Sequence, residues 1–459
     1  MSVTVVRNGQ VCSSTGVVNA DLVIEGEYIS SLVEPGTPVE AAAHVFDASG
    51  CLLLPGLVDM HVHLREPGDE EAEDIRSGCA AAVAGGFTDI VAMPNTHPPQ
   101  DSVGVVEFVR EAAARAGLCR VHPAGCVTRA RAGKELAGIR ELAEAGVVIF
   151  TDDGDPVRDS RIMRRALEYV GFLGGLVADH CEDTQLTDGA QMNEGEVSGW
   201  LGLAGWPSVA EEIFVARDIL LAEYTGSRVH LQHLSTAGAV RLVRDAKARG
   251  VMVSAEVTPH HLMLTDEKAT EYDPVFKVNP PLRTAADRAA VRLGLADGTI
   301  DIVATDHAPH TPENKEEWTE ARCGMLGLET ALPLVWDLHR KGVLTLERLV
   351  HAMSSRPAHL AGLEPRGPLA AGQRADLCVF DMEHEWVVDP SGFHGKSRNT
   401  PYEGMTCTGR VRYTFVDGRP VFHADEKVGE NKRPGRTAFL VEEGVASEGP
   451  TPRMPGRKK

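Results

Sequence analysis

The sequence predicts a (β/α)8 TIM barrel carrying a small β-sandwich domain formed by both chain termini. Three observations predict it. Through the middle of the chain, eight apolar strand-like runs alternate with Ala-rich helical stretches; alternation implies a parallel sheet, and eight repeats imply a closed barrel. These runs begin apolar and end in His, Asp, Asn or Thr, as barrel strands do when their C-terminal ends form an active-site face. The two chain ends share a different texture, short β-rich runs broken by Gly, Asn, Ser and Asp turns.

The N-terminal runs are VTVVRNG, ADLVIEG and YISSLVE. The eight central runs are LLLPGLVDMHVHL, FTDIVAMPN, VHPAGCVT, VVIFTDDG, LVADHCED, RVHLQHLS, VMVSAEVTPHH and DIVATDHAPH. Parallel strands covered on both faces read as nearly continuous apolar runs, as these do. Between them lie helical segments such as VEFVREAAARAG, IMRRALEYVGFL and AVRLVRDAKARG. The β texture returns in ADLCVFD, RVRYTFVDG and RPVFH. The expected division is residues 1–54 and 366–431 as the two parts of the β-sandwich, 55–365 as a catalytic barrel, and 432–459 as a tail. The tail is rich in Pro, Gly, Glu and Lys, lacks an apolar period apart from TAFLV, and is expected to be mobile or draped over the surface.

The chain has 459 residues, enough for a barrel of about 250 and a second domain. Hydrophobic residues make up 43% and charged ones 24%, in the range of globular proteins. With 46 basic and 66 acidic side chains the net charge is −20, which argues against nucleic acid or an anionic membrane as the main partner. A small anionic substrate remains compatible, because a pocket is able to be locally positive on an acidic protein. The start, MSVTVVRNGQ, lacks the basic and apolar regions of a signal peptide. No stretch approaches the roughly 18 apolar residues of a membrane helix. The nine cysteines include no C-x-x-C pair, so reduced, mostly buried thiols in a cytoplasmic protein are expected.

Asp59, His61 and His63 alternate along the first central strand, which puts all three on one face, toward the barrel mouth. Imidazoles so spaced suit a shared metal ion. Asp152 and Asp153 end the fourth run, His180 the fifth, His233 the sixth and Asp306 the eighth. Four imidazoles and two carboxylates suit zinc, with manganese or cobalt as substitutes. Two ions sharing a carboxylate would activate a bridging hydroxide at neutral pH. Alternation along VVIFTDDG says only that either Asp152 or Asp153 points inward.

The motifs DMHVHLREPG, MPNT, FTDDG, HCED, MNEGEVS, EVTPHHL, NPPLR, ATDHAPH and GLET together resemble the amidohydrolase superfamily and, within it, the class I dihydroorotases. The resemblance runs from the N-terminal β segment to GPLAAGQRADLCVFD. It implies zinc-dependent, reversible cyclisation of N-carbamoyl-L-aspartate to L-dihydroorotate with release of water. It implies that His61 and His63 hold one metal, that His180 and His233 hold the other, and that Asp153 bridges them. Asp306 then binds the first metal and serves as general acid/base. Many relatives bridge with a carboxylated lysine; VVIFTDDG contains no lysine, so an aspartate must serve.

A pocket for dihydroorotate needs a fork of donors for its carboxylate. Arg65 lies two residues past His63 and so shares its face; a guanidinium matches a carboxylate bidentately. Its bland role would be an ion pair with Glu66 or Asp69. Asn95 and Asn279 suit turns, while the resemblance implies that both contact substrate and that His310 helps bind the carboxylate. His260 and His261 are expected to be satisfied structural groups. The polar segment 311–324 is expected to form a lid over the site. Cys181 alternates away from His180 and is expected to pack, with an inhibitory zinc ligand as the sharper role.

A hydantoinase or allantoinase would share the fold and metals; Arg65, Asn95 and the bridging aspartate argue against one. Some dihydroorotase-like chains are inactive scaffolds for aspartate transcarbamoylase, but those should have lost ligands, and all six positions are filled here. Core histidines of a non-catalytic barrel would not gather so many donors on one face. A homo-oligomer is expected, and a complex with aspartate transcarbamoylase is compatible with activity.

Overall fold

A computed structural model describes residues 3–39 and 43–424. The expected tail from 432 and the end of the C-terminal β segment lie outside the described residues. The chain opens with β1 (Val3–Ser13), β2 (Gly16–Glu25), β3 (Tyr28–Val33), β4 (Ala43–Asp47) and β5 (Cys51–Pro55). The barrel strands begin with β6 (Leu57–Val62), β7 (Phe87–Ala92), β8 (Arg120–Pro123), β9 (Ile149–Phe150) and β10 (Leu176–Asp179). A short ladder of β11 (Met192–Asn193) and β12 (Gly205–Trp206) precedes the last barrel strands, β13 (Val229–Leu231), β14 (Val253–Val257) and β15 (Ile302–Val303). The described chain closes with β16 (Leu377–Val387), β17 (Thr406–Val416) and β18 (Arg419–His423).

All pairings within the barrel are parallel. Single bridges Gly125–Phe150 and Val62–His307 join β8 to β9 and the end of the β15 segment back to β6, closing the ring. A helix follows each barrel strand, beginning with Ile75–Ala84 after β6 and ending with Ala331–Arg340 after β15. Inside the ring, Met60, Val91, Ile149, Leu176, Ala178 and Ile302 pack into one apolar cluster. That cluster fills the barrel, as a packed core rather than a pore requires.

The terminal strands form one eight-stranded sheet in the order β18-β17-β16-β5-β1-β2-β3, with β4 pairing β1. Side chains alternate across a strand, and here the alternation divides two cores. Leu53, Leu377 and Val379 enter the sandwich core, whereas Leu52, Leu54, Cys378 and Phe380 pack with the barrel helices. Sequence and structure differ at two runs. LLLPGLVDMHVHL, expected as one strand, is two: β5 belongs to the terminal sheet and β6 to the barrel. Gly56 makes the crossing between them, where a Cβ would lie 2.4 Å from Thr88 Oγ1. The run VMVSAEVTPHH ends as a strand at Val257; Thr258 then caps the helix Pro259–Met263, its hydroxyl accepting the His261 N–H at 3.2 Å.

Buried charge clamps the two units together. Asp89 of β7 accepts Arg120 Nε at 2.9 Å, Arg366 Nη2 at 2.7 Å and His122 Nε2 at 3.0 Å. Arg120 also reaches Asp376 (2.5 Å) and Asp417 (2.8 Å), both from the terminal sheet region. Burial works against the Asp89 charge, but His122, Arg120 and Arg366 hold its carboxyl well below the ordinary value of 3.8. Removing that charge leaves Arg120 with Asp376 and Asp417, and Arg366 with Asp376, so Asp89→Asn weakens the clamp without stranding it and should cost about 1.5–3 kcal/mol in chemical denaturation. Because the folded pKa is depressed, the contribution is fully present above pH 3.8 and is lost as the pH falls below it. The gap between wild type and variant should therefore narrow on acidification.

Candidate active site

The strand ends converge as the patterning requires. Asp153 lies at the centre. Its Oδ1 is 3.2 Å from His61 Nε2, 3.8 Å from His180 Nδ1 and 3.8 Å from His233 Nε2, and its Oδ2 is 3.4 Å from His63 Nε2. Asp306 Oδ1 stands 3.0 Å from His63 Nε2 and 3.4 Å from His61 Nε2. All six groups are buried. Two overlapping trios, His61–His63–Asp306 and His61–Asp153–His233, hold their donor atoms within 4.8 Å of one another.

Asp152 is elsewhere. Its Oδ1 accepts the Val127 and Thr128 N–H groups at 2.9 and 3.0 Å, and Oδ2 accepts the Thr128 hydroxyl. Of the two aspartates, Asp153 is the one that faces the imidazoles. Asp59 also stands apart from the trios: its Oδ1 accepts the His61 and Thr305 N–H groups, tying β6 to the β15 segment. Burial pushes its pKa up to about 6.

The donor set fits a cation. His61 Nε2 is buried with no hydrogen-bond partner. His180 Nδ1 and His233 Nε2 face each other at 2.9 Å, a separation at which two lone pairs repel unless a proton or a metal lies between or before them. Burial opposes charge on His180, yet Asp153 and Glu182 push its pKa up to about 10. Burial likewise opposes charge on Asp153, and the surrounding imidazoles hold its carboxyl well below the ordinary range. Nitrogen and carboxylate oxygen in this proportion match a zinc-type divalent site.

Carboxylates behind the imidazoles orient them, and sequence reasoning missed these groups. Glu256 Oε1 accepts His61 Nδ1–H at 2.6 Å and the His233 N–H at 3.2 Å, and Oε2 meets His230 Nε2 at 3.0 Å. Burial raises the Glu256 pKa, but His61 and His230 outweigh it and hold the carboxyl at about 2. Glu182 Oε2 does the same for His180 Nε2 at 2.9 Å. The available signals were an acidic residue inside the apolar strand VSAEV, and Glu182 two residues past His180 on the same face.

Backbone strain marks the same place. Arg65, His233 and Asp306 have φ of 61°, 31° and 47°. Such conformations cost a non-glycine residue about 1–3 kcal/mol and persist where the surroundings enforce them, typically at functional sites.

A cavity of about 230 Å³ opens over the cluster, lined by His63, Arg65, Asn95, Asp153, His180, His233, Asn279, Asp306 and His310, together with Arg322–Gly324. Arg65 Nε donates to Pro309 O at 3.1 Å. Glu66, offered as its bland partner, instead accepts the Ile75 N–H at 2.9 Å. The two asparagines are held in opposite senses. Asn95 Oδ1 accepts from His63 Nδ1 at 2.9 Å, which leaves its NH2 as a donor. Asn279 spends its NH2 on Glu182 at 3.0 Å, and its Oδ1 is a buried acceptor without a partner. His310 Nε2 donates to Cys323 O at 2.8 Å, and its Nδ1 is buried without a partner.

His261 is satisfied as expected, by Thr258 Oγ1 at 2.8 Å and Pro280 O at 3.1 Å. His260 departs from expectation: its Nε2 is buried without a partner. Burial holds its pKa down at about 4, so it is a neutral ring beside the cluster. Cys181 faces away, its Sγ 3.6 Å from Asp179 O and 3.7 Å from Asp218 Oδ2, in the packing role that alternation favours. Arg217 pairs with both of those aspartates, at 3.0 and 2.7 Å. No described helix is long and apolar enough to cross a membrane.

The comparisons with known proteins agree with this geometry. A family model described as dihydro-orotase-like matches residues 50–239, and one described as amidohydrolase family matches 215–422. A dihydroorotase of Streptomyces coelicolor is 51% identical over 91% of this chain and 98% of its own length. A dihydroorotase of Pelotomaculum thermopropionicum is 54% identical over 83% of this chain and 89% of its own length. Among solved structures, the L-hydantoinase of Arthrobacter aurescens superposes with a TM-score of 0.82 at 28% identity, covering 92% of this chain and 96% of its own. The hydantoinase likeness is thus one of architecture at lower identity, and this chain belongs to the dihydroorotase family, within the amidohydrolases.

Proposed function

We propose that the protein is a zinc-dependent dihydroorotase, interconverting L-dihydroorotate and N-carbamoyl-L-aspartate in pyrimidine biosynthesis, in the cytoplasm. The observation that carries this reading is one carboxylate, Asp153, within 4 Å of four imidazoles, facing a pocket with Arg65 on its wall. His61, His63 and Asp306 would hold one ion, His180 and His233 the other, and Asp153 both. When bound, such a pair supplies a water-derived nucleophile at neutral pH and draws charge from the amide carbonyl.

The chain's own residues do the rest. Arg65 and the Asn95 NH2 bind the substrate carboxylate. Asn279 Oδ1, an acceptor, takes a ring N–H. His310 lines the same pocket beside that carboxylate; burial and the Arg65 charge hold its pKa down at about 2, and an arriving anion opposes that shift. In ring opening a C–O bond forms at the carbonyl and the ring C–N bond breaks; Asp306 takes the proton from the nucleophile and delivers it to the departing nitrogen. In cyclisation Asp306 carries it back and water leaves. Segment 311–324 roofs the pocket and excludes bulk water during these transfers. A homo-oligomer is part of the same reading, supported by exposed apolar side chains such as Phe172 (85%) and Tyr224 (74%) on the barrel helices; aspartate transcarbamoylase is the candidate partner.

Purified zinc-loaded protein should turn over dihydroorotate but not hydantoin or allantoin, and a chelator should abolish the activity. Turnover of hydantoin alone would transfer the protein to the hydantoinase class. Asp306→Asn should retain most of its metal and lose about 100- to 10,000-fold in kcat; near-normal turnover in that variant refutes its role as proton carrier. Glu256→Gln cannot accept from both His61 and His230, and metal titration should reveal about 10- to 100-fold weaker binding.

A further inference from the structure

Arg322 has no role in the reaction sketched above, and nothing in the fold calls for it. It is exposed and lines the same cavity as Arg65 and His310. Among the described residues it forms no ion pair, although the protein carries a net charge of −20 and Glu313, Glu316, Glu317 and Glu320 precede it in the chain. Two guanidiniums around one small cavity repel each other unless an anion joins them.

The backbone that carries Arg322 is fixed from both sides. Its N–H donates to Asn314 O at 3.0 Å, and the Gly324 N–H donates to Lys277 O at 3.0 Å. Lys277 Nζ reaches Trp318 O at 2.7 Å and Thr319 O at 3.0 Å. Lys315 Nζ returns the bond, to Pro274 O and Lys277 O, both at 3.0 Å. Both ammonium groups are thus spent on carbonyls and hold the segment against the loop that bears Asn279. The cavity lining thus combines the acidic groups and imidazoles of the cluster with two guanidiniums, Arg65 and Arg322.

We propose that Arg322 is a specificity-determining residue, pairing with Arg65 to recognise the carboxylate of the substrate ring and so to favour anionic over uncharged cyclic amides. This rests on the dihydroorotase reading and adds to it a residue outside the Arg65, Asn95 and His310 set. The test compares kcat/KM for dihydroorotate and for dihydrouracil, the same ring without the carboxylate, in wild type, Arg322→Gln and Arg322→Lys across a range of salt. Arg322→Gln should lose about tenfold for dihydroorotate, mostly in KM, with unchanged metal content and no loss for dihydrouracil. The fall of wild-type kcat/KM with salt should flatten in Arg322→Gln and persist in Arg322→Lys. An Arg322→Gln protein with wild-type KM and wild-type salt dependence overturns the assignment while leaving the dihydroorotase reading intact. Equal losses for both rings also overturn it, since they indicate a structural role. A wild type inactive on dihydroorotate fails the underlying reading instead.

Discussion

Four buried imidazoles and two buried carboxylates gathered at one point make an electrostatic problem that only a cation solves. Bare, the cluster would set nitrogen lone pairs against one another, as His180 and His233 are at 2.9 Å. Protons offer a partial solution, seen in the upward shift of His180 to about 10. Divalent ions offer a complete one, because each can replace several protons and accept nitrogen and oxygen donors at once. Much of the surrounding architecture follows from that demand. The barrel brings six donors from five strand ends to one point, and strained backbone at His233 and Asp306 turns them inward.

The site is organised by what each polar atom has already spent. Glu256 and Glu182 consume the outer nitrogens of His61 and His180, which leaves the inner ones directed at Asp153. Asn95 consumes its oxygen and Asn279 its NH2. The remaining atoms are a donor on Asn95 and an acceptor on Asn279, the pair that the proposed function uses for a ring bearing both a carboxylate and an N–H. Pocket specificity therefore originates one layer behind the pocket.

Much of this was legible in the sequence, for physical reasons. Strand runs with polar ends announced the barrel because its interior must be apolar and its reactive face must lie at the strand C-termini. The His61–His63 alternation placed both rings on one face. What alternation could not provide was the partner of each side chain. Asp152 and Asp153 are distinguished by their partners in space, the Val127 and Thr128 amides of the loop after β8 for the one and the imidazoles for the other. The Gly56 crossing was invisible because an unbroken apolar run fits one buried strand as well as two. Glu256 was passed over because an acidic residue in a core strand has no meaning until His61 and His230 are seen on either side of it. Arg322 lies in a polar segment whose pattern fits any surface loop, and only its place on the same cavity as Arg65 gives it significance.

Diffraction from zinc-loaded crystals, recorded across the zinc absorption edge, tests the central claim most directly. Two anomalous peaks are predicted, each about 2.0–2.2 Å from a different oxygen of Asp153, one reached by His61 and His63 and the other by His180 and His233. A site without density beside Asp153, or with an ion held by Asp152 or Cys181, would contradict the account.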